Sequence, residues 1–175
     1  DKFIEQTKDV WTHLVDIRKS FEPRAEELAK KYALAPYTMF IGSGALWGET
    51  ILFSMCILEE MQWKRTRYIT SADFFHGTLE LVEPGVPVFL FMGEDENRKL
   101  DERARAFLNR GVTGDTDINI IDTAEFAIPG LDDEFRVIVS PWILTVLVTD
   151  RLARYYETVT KHNLKYRRYY HQFDY

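Results

Sequence analysis

Short runs that are apolar at nearly every position punctuate the chain at Tyr37–Ile41, Val86–Met92 and Ile118–Ile121, with a shorter strand pattern at Arg67–Thr70. A strand with one wet face alternates apolar and polar residues. A continuously apolar strand must instead be covered on both faces, as in a parallel sheet. Helical spacing fills Ala45–Gln62, which is apolar on more than one face, and Asn97–Arg110. The coarse order β-α-β-β-α-β predicts an α/β fold, a three-layer αβα sandwich around a mostly parallel sheet.

Two helices precede the first strand. Ile4, Val10, Trp11, Leu14, Val15 and Ile17 fall at helical spacing from Phe3 onward, until Phe21-Glu22-Pro23 interrupts them. Pro23 suits the first turn of a second helix that reaches about Tyr32. Ser71–Thr78 reads as irregular, and Ala127–Phe135, with Pro129-Gly130 and its acids, reads as a loop. A last long helix is expected from about Pro141, followed by an aromatic, basic tail, Tyr166–Tyr175.

At 175 residues, 46% of them hydrophobic, the chain is long enough for one well-cored domain. Its net charge of -6 lacks the basic footprint of a nucleic-acid binder, so no nucleic-acid partner is expected. No apolar stretch has the roughly 20 residues of a membrane-spanning helix, and the N-terminus has no signal-peptide pattern. Cys56 has no second cysteine to pair with, and its apolar neighbours read as those of an inert core thiol. A reducing, cytoplasmic location is expected. The chain starts at Asp1, without methionine, and runs straight into a helical pattern, which suggests a piece of something longer.

In an open parallel sheet, ligands bind beyond the carboxyl ends of the strands. Gly42-Ser43-Gly44, Ser71–Gly77 and Gly93-Glu94 follow three of the strands and share that edge. The Gly-Ser-Gly turn could offer backbone N–H groups to an anion or serve only a sharp strand-to-helix turn; no Lys-Ser/Thr or third spaced glycine decides between them. Glu59 and Glu60 close the apolar helix, where burial and the helix dipole disfavour a charged carboxylate; one of them could be a general acid/base near neutral pH, or the pair could simply form a solvated helix end. Helical phase does not choose between the two. His76, between Phe74-Phe75 and Gly77, could shuttle a proton or simply pack. His13, His162 and His171 are scattered over predicted helix or tail surfaces without metal-ligand spacing, and no metal is expected. A Ser43–His76–Asp triad lacks the Gly-x-Ser-x-Gly elbow. Arg167 or Arg168 would hold a phosphate or carboxylate if the tail packs over a ligand.

Glu60-Met61-Gln62-Trp63, followed by Thr70-Ser71-Ala72-Asp73-Phe74-Phe75-His76-Gly77-Thr78-Leu79-Glu80, resembles the sugar isomerase (SIS) family, within it the deglycases of glycated amino-acid 6-phosphates. Val82-Glu83-Pro84-Gly85-Val86-Pro87, Asp95-Glu96-Asn97-Arg98 and Arg167-Arg168-Tyr169-Tyr170 extend the resemblance over most of the chain. The resemblance implies a flavodoxin-like sandwich and places the chain as residues 1–175 of the second of two such domains. It implies that Glu60 is the acid/base and that His76, sixteen positions later, is its partner. In relatives such as the isomerase half of glucosamine-6-phosphate synthase the histidine reaches a neighbouring subunit's site, which implies a homodimer.

The substrate implied is glucoselysine or fructoselysine 6-phosphate, split by enolisation and imine hydrolysis without a cofactor. The phosphate loop belongs to the first domain, so Gly42, Ser43, Gly44 and Ser71 are expected at the sugar end. Two departures from the family pattern, Ser71-Ala72-Asp73 before the aromatic pair and Thr78 after His76-Gly77, change the contacts beside His76. The alternatives are an amino-sugar phosphate isomerase, whose usual tail lysine His171-Gln172-Phe173-Asp174-Tyr175 lacks, and a phosphosugar-sensing module, usually fused to a DNA-binding domain.

Overall fold

The computed structural model describes residues 1–111, 114 and 116–174. The expected Gly-containing loop before the fourth strand and the tail's last residue, Tyr175, fall partly or wholly outside them. Four strands, β1 (Thr38–Gly42), β2 (Thr66–Ile69), β3 (Val88–Met92) and β4 (Ile118–Asp122), form one parallel sheet in the order β2-β1-β3-β4. Every residue of β1 and β3 is buried. The pleat sends Phe40, Phe89 and Phe91 to one core and Met39, Ile41, Val88, Leu90 and Met92 to the other. The α/β sandwich read from the apolar runs is the observed fold.

Helices α1 (Lys2–Thr7), α2 (Val10–Ser20) and α3 (Glu22–Tyr32) pack on the aromatic face. The single amphipathic helix expected from Phe3 is thus two, parted at Lys8-Asp9, and Pro23 stands in the first turn of α3 as its fixed φ favours. Beyond β1, a short 3-10 turn leads into α4 (Trp47–Ile51), which continues as a π-helix over Leu52–Glu59. Buried hydroxyls accompany the widening: Thr50 Oγ1 donates to the Leu46 carbonyl and Ser54 Oγ to that of Thr50, competing for ladder acceptors.

The Ser71–Thr78 region is not irregular. Asp73–His76 and Thr78–Leu81 form short 3-10 helices, and fully buried Phe74 lies between the sheet and α5 (Arg98–Leu108). Short turns of this kind are too brief to show a period.

The last helix also begins earlier than expected. α6 spans Asp133–Leu144 with Pro141 inside it, then a π-helical stretch, Thr145–Leu152, and α7 (Ala153–Thr160). Pro141 cannot donate to the Val137 carbonyl, and Ser140 Oγ supplies that bond at 3.3 Å. The expected loop therefore ends at Asp132.

Candidate active site

Two places on the sheet gather polar side chains, one at each edge. At the carboxyl edge, beside the point where strand order reverses between β1 and β3, Ser43 Oγ accepts from the Ser71 N–H at 2.7 Å. Ser71 Oγ donates to Asp101 Oδ1 at 2.5 Å, and Asp101 Oδ2 accepts from the Gly93 N–H at 3.2 Å. This chain ties the ends of β1, β2 and β3 together, and both serines are buried. Burial pushes the Asp101 carboxyl up to about 6, against the hydrogen bonds it accepts.

The Gly-Ser-Gly turn has its anion already. Asp95 Oδ2 accepts from the Ala45 N–H at 2.5 Å, and Gly44, at φ +55°, leaves room for that carboxylate where a Cβ would lie 2.1 Å from it. Gly42, Ser43, Gly44 and Ser71 are therefore held together, as positions on one edge, but the two hydroxyls point into the protein's own network.

Glu60 lies at the other edge. The helix that follows β1 runs back to the start of β2, where Thr66 Oγ1 donates to Glu59 Oε1 at 2.6 Å. Helix phase left the two glutamates equivalent, and the contacts separate them: Glu59 takes a hydroxyl, whereas Glu60 Oε1 accepts from Arg167 Nε at 2.7 Å.

The C-terminal segment is fastened across this helix end. Buried Gln62 donates to the His162 carbonyl at 2.5 Å and accepts from Thr160 Oγ1 at 2.7 Å. Trp63, at φ 53°, turns the chain and meets the His162 ring at 4.3 Å, and the Arg168 guanidinium lies 4.3 Å over the indole. His162 is thus packed between Trp63 and Tyr166 and is not the free surface residue expected from the sequence. A bulky residue in the left-handed region is uncommon and persists where its surroundings hold it.

The tail and helix end border an open cavity of about 430 Å³, lined among others by Glu59, Glu60, Lys64, Arg65, Arg167 and Arg168. Burial pushes the Lys64 ammonium below its ordinary value. Cys56, half-buried on the same helix and less deep than expected, has its thiol raised by burial, then by the charges of Glu60 and Glu59.

His76 is not in this cavity. It stands exposed on the 3-10 turn beyond the carboxyl end of β2, and Glu60 stands beside the amino end. Four strand residues at about 3.3 Å each put roughly 13 Å of strand between the two positions. One copy of the chain does not bring Glu60 and His76 together. Lys64, Arg65 and Asp101 were not singled out by the sequence, their only signal being charge, which most surface residues share; Asp95 stood out only as part of the family-like segment Asp95-Glu96-Asn97-Arg98.

No protein-family model matches the chain. It is 30% identical over 148 residues to the fructosamine deglycase FrlB of Bacillus subtilis, an alignment covering 83% of this chain and 43% of that protein. The chain is homologous to about half of a fructosamine deglycase. It is also 29% identical over 170 residues to the fructoselysine 6-phosphate deglycase of Escherichia coli K12, covering 95% of this chain and 46% of the relative. A solved Bacillus subtilis structure described as a phosphosugar isomerase superimposes with a TM-score of 0.90 at 27% identity, over 99% of this chain and 52% of that one. The sugar isomerase fold and the deglycase kinship expected from the motifs are both met. The chain spans about half the length of the curated relatives it matches. Among the described residues no helix is long and apolar enough to cross a membrane, and no cluster of three or more His, Cys, Asp or Glu could hold a metal.

Proposed function

We propose that this chain is the second of two sugar-isomerase-type domains of a cytoplasmic, homodimeric deglycase. Its substrate would be glucoselysine or fructoselysine 6-phosphate, cleaved to hexose phosphate and free amino acid without a cofactor. The observation that carries the reading is Glu60: in a chain 30% identical to a fructosamine deglycase, it lines a cavity walled in part by the chain's own tail.

The chemistry follows from the carbon acidity of the adduct. Once the sugar ring opens, Glu60 takes the proton from the carbon beside the carbonyl and an enaminol forms. Its return to the neighbouring carbon leaves a C=N bond, to which water adds; the C–N bond then breaks and the amine leaves with the proton. His76, delivered by the partner copy, serves ring opening or protonates the oxygen. Arg167 holds the Glu60 carboxylate aimed until substrate displaces it. The buried Ser43–Ser71–Asp101 chain keeps Gly42–Gly44 in place on the edge that carries His76, the edge the partner copy would present to the sugar.

Glu60→Gln or His76→Ala in the full-length enzyme should each lower turnover of the lysine adduct by about 10²- to 10⁴-fold. Near-wild-type turnover by either variant removes that residue's role.

A further inference from the structure

The cavity beside Glu60 carries charges that the proton transfer does not use. Lys64, Arg65 and Arg168 line it, and among the described residues none of them has an ion pair. Arg168 sits 4.3 Å over the Trp63 ring and, among the described residues, its guanidinium makes no hydrogen bond or ion pair, so its N–H groups are free for a planar carboxylate. Glu59, on the same wall, bonds a hydroxyl and, among the described residues, has no cation. A chain of net charge -6 thus gathers around one space three cations and one carboxylate that have no ion pair among the described residues.

Resting on the deglycase reading above, we infer that this cavity binds the free α-amino-acid head group of the substrate. Arg168 and Lys64 take the carboxylate and Glu59 takes the α-ammonium, so the amine released is a side-chain amine. A phosphate would satisfy the cations but would be repelled by Glu59, whereas a zwitterion uses both signs. An adduct made through the α-amine would lack the free ammonium that Glu59 faces. The Lys64 ammonium, pushed down by burial without an anion, gains most from a carboxylate beside it.

The test is substrate discrimination by the full-length enzyme on three 6-phosphorylated adducts: lysine linked through the ε-amine, lysine linked through the α-amine, and 1,5-diaminopentane, which has no carboxylate. The ε-linked adduct should exceed each of the other two in kcat/KM by about tenfold or more, the worth of one charge-assisted hydrogen bond, with the difference in KM. Arg168→Ala should erase most of the preference over the diaminopentane adduct, and Glu59→Gln most of that over the α-linked one. Arg168 is exposed, so its removal leaves the core untouched. Equal turnover of the three adducts by the wild type overturns the inference. So does an Arg168→Ala defect of equal size on the lysine and diaminopentane adducts, which would assign the cations to the phosphate. Turnover of none of the three overturns the deglycase reading itself.

Discussion

Asp101 is 1% exposed, with one oxygen accepting from Ser71 and the other from Gly93. Because burial raises its pKa from 3.8 to about 6, the folded protein holds a proton there that the unfolded chain has already released. Stability therefore falls as pH rises from about 4 to about 6. At about 1.4 kcal/mol per pKa unit, Asp101 contributes roughly 3 kcal/mol to that fall. Urea midpoints taken across this range should show the decline in the wild type and a flatter profile in Asp101→Asn. An unchanged slope in the variant would place the effect elsewhere, with buried Glu49, also raised by burial, as the remaining group of the same sign.

Glu49 belongs to the scale of elements. It accepts from Thr145 Oγ1 at 2.9 Å and from Thr149 Oγ1, joining the start of α4 to the π-helical stretch between α6 and α7. Removing the carboxyl strands a hydroxyl between two packed helices, so Glu49→Ala should cost about 2–3 kcal/mol in urea unfolding, and Glu49→Gln less. The joint between β1 and α4 is equally tight: a Cβ on Gly42 would lie 2.2 Å from Thr50 Oγ1. Gly42→Ala should lower stability by about 1–3 kcal/mol, read as a lower urea midpoint with unchanged m. None of this was visible in the sequence. Periodicity shows that a segment winds and which faces are apolar, but not that the winding widens beside the hydroxyls of Thr50 and Ser54. Nor does it show that Ser140 lets Pro141 sit inside a helix. Pro141 therefore read as a start, when it is the ninth residue of α6.

For the whole molecule, legibility followed the range of the interactions. The sheet could be read because a strand buried on both faces is apolar throughout, a property local to each strand, as β1 and β3 show. The site could not be read from pattern, because its parts meet across long stretches of chain: Glu60 and Arg167 are 107 positions apart, and Gln62 and His162 are 100 apart. The family motif singled out Glu60 and His76, but their placement at opposite ends of β2 emerged only with the fold. On the proposed reading, that placement requires a second copy to bring His76 to Glu60.

Mixing tests it most directly. Full-length Glu60→Gln and His76→Ala proteins, each nearly inactive alone, are combined and allowed to exchange subunits. A mixed dimer assembles one site from two intact side chains. With random exchange, half of the dimers are mixed and each has one working site, so activity should recover to about a quarter of the wild-type level. A mixture that exchanges subunits yet stays as inactive as its parents would contradict a site shared between copies.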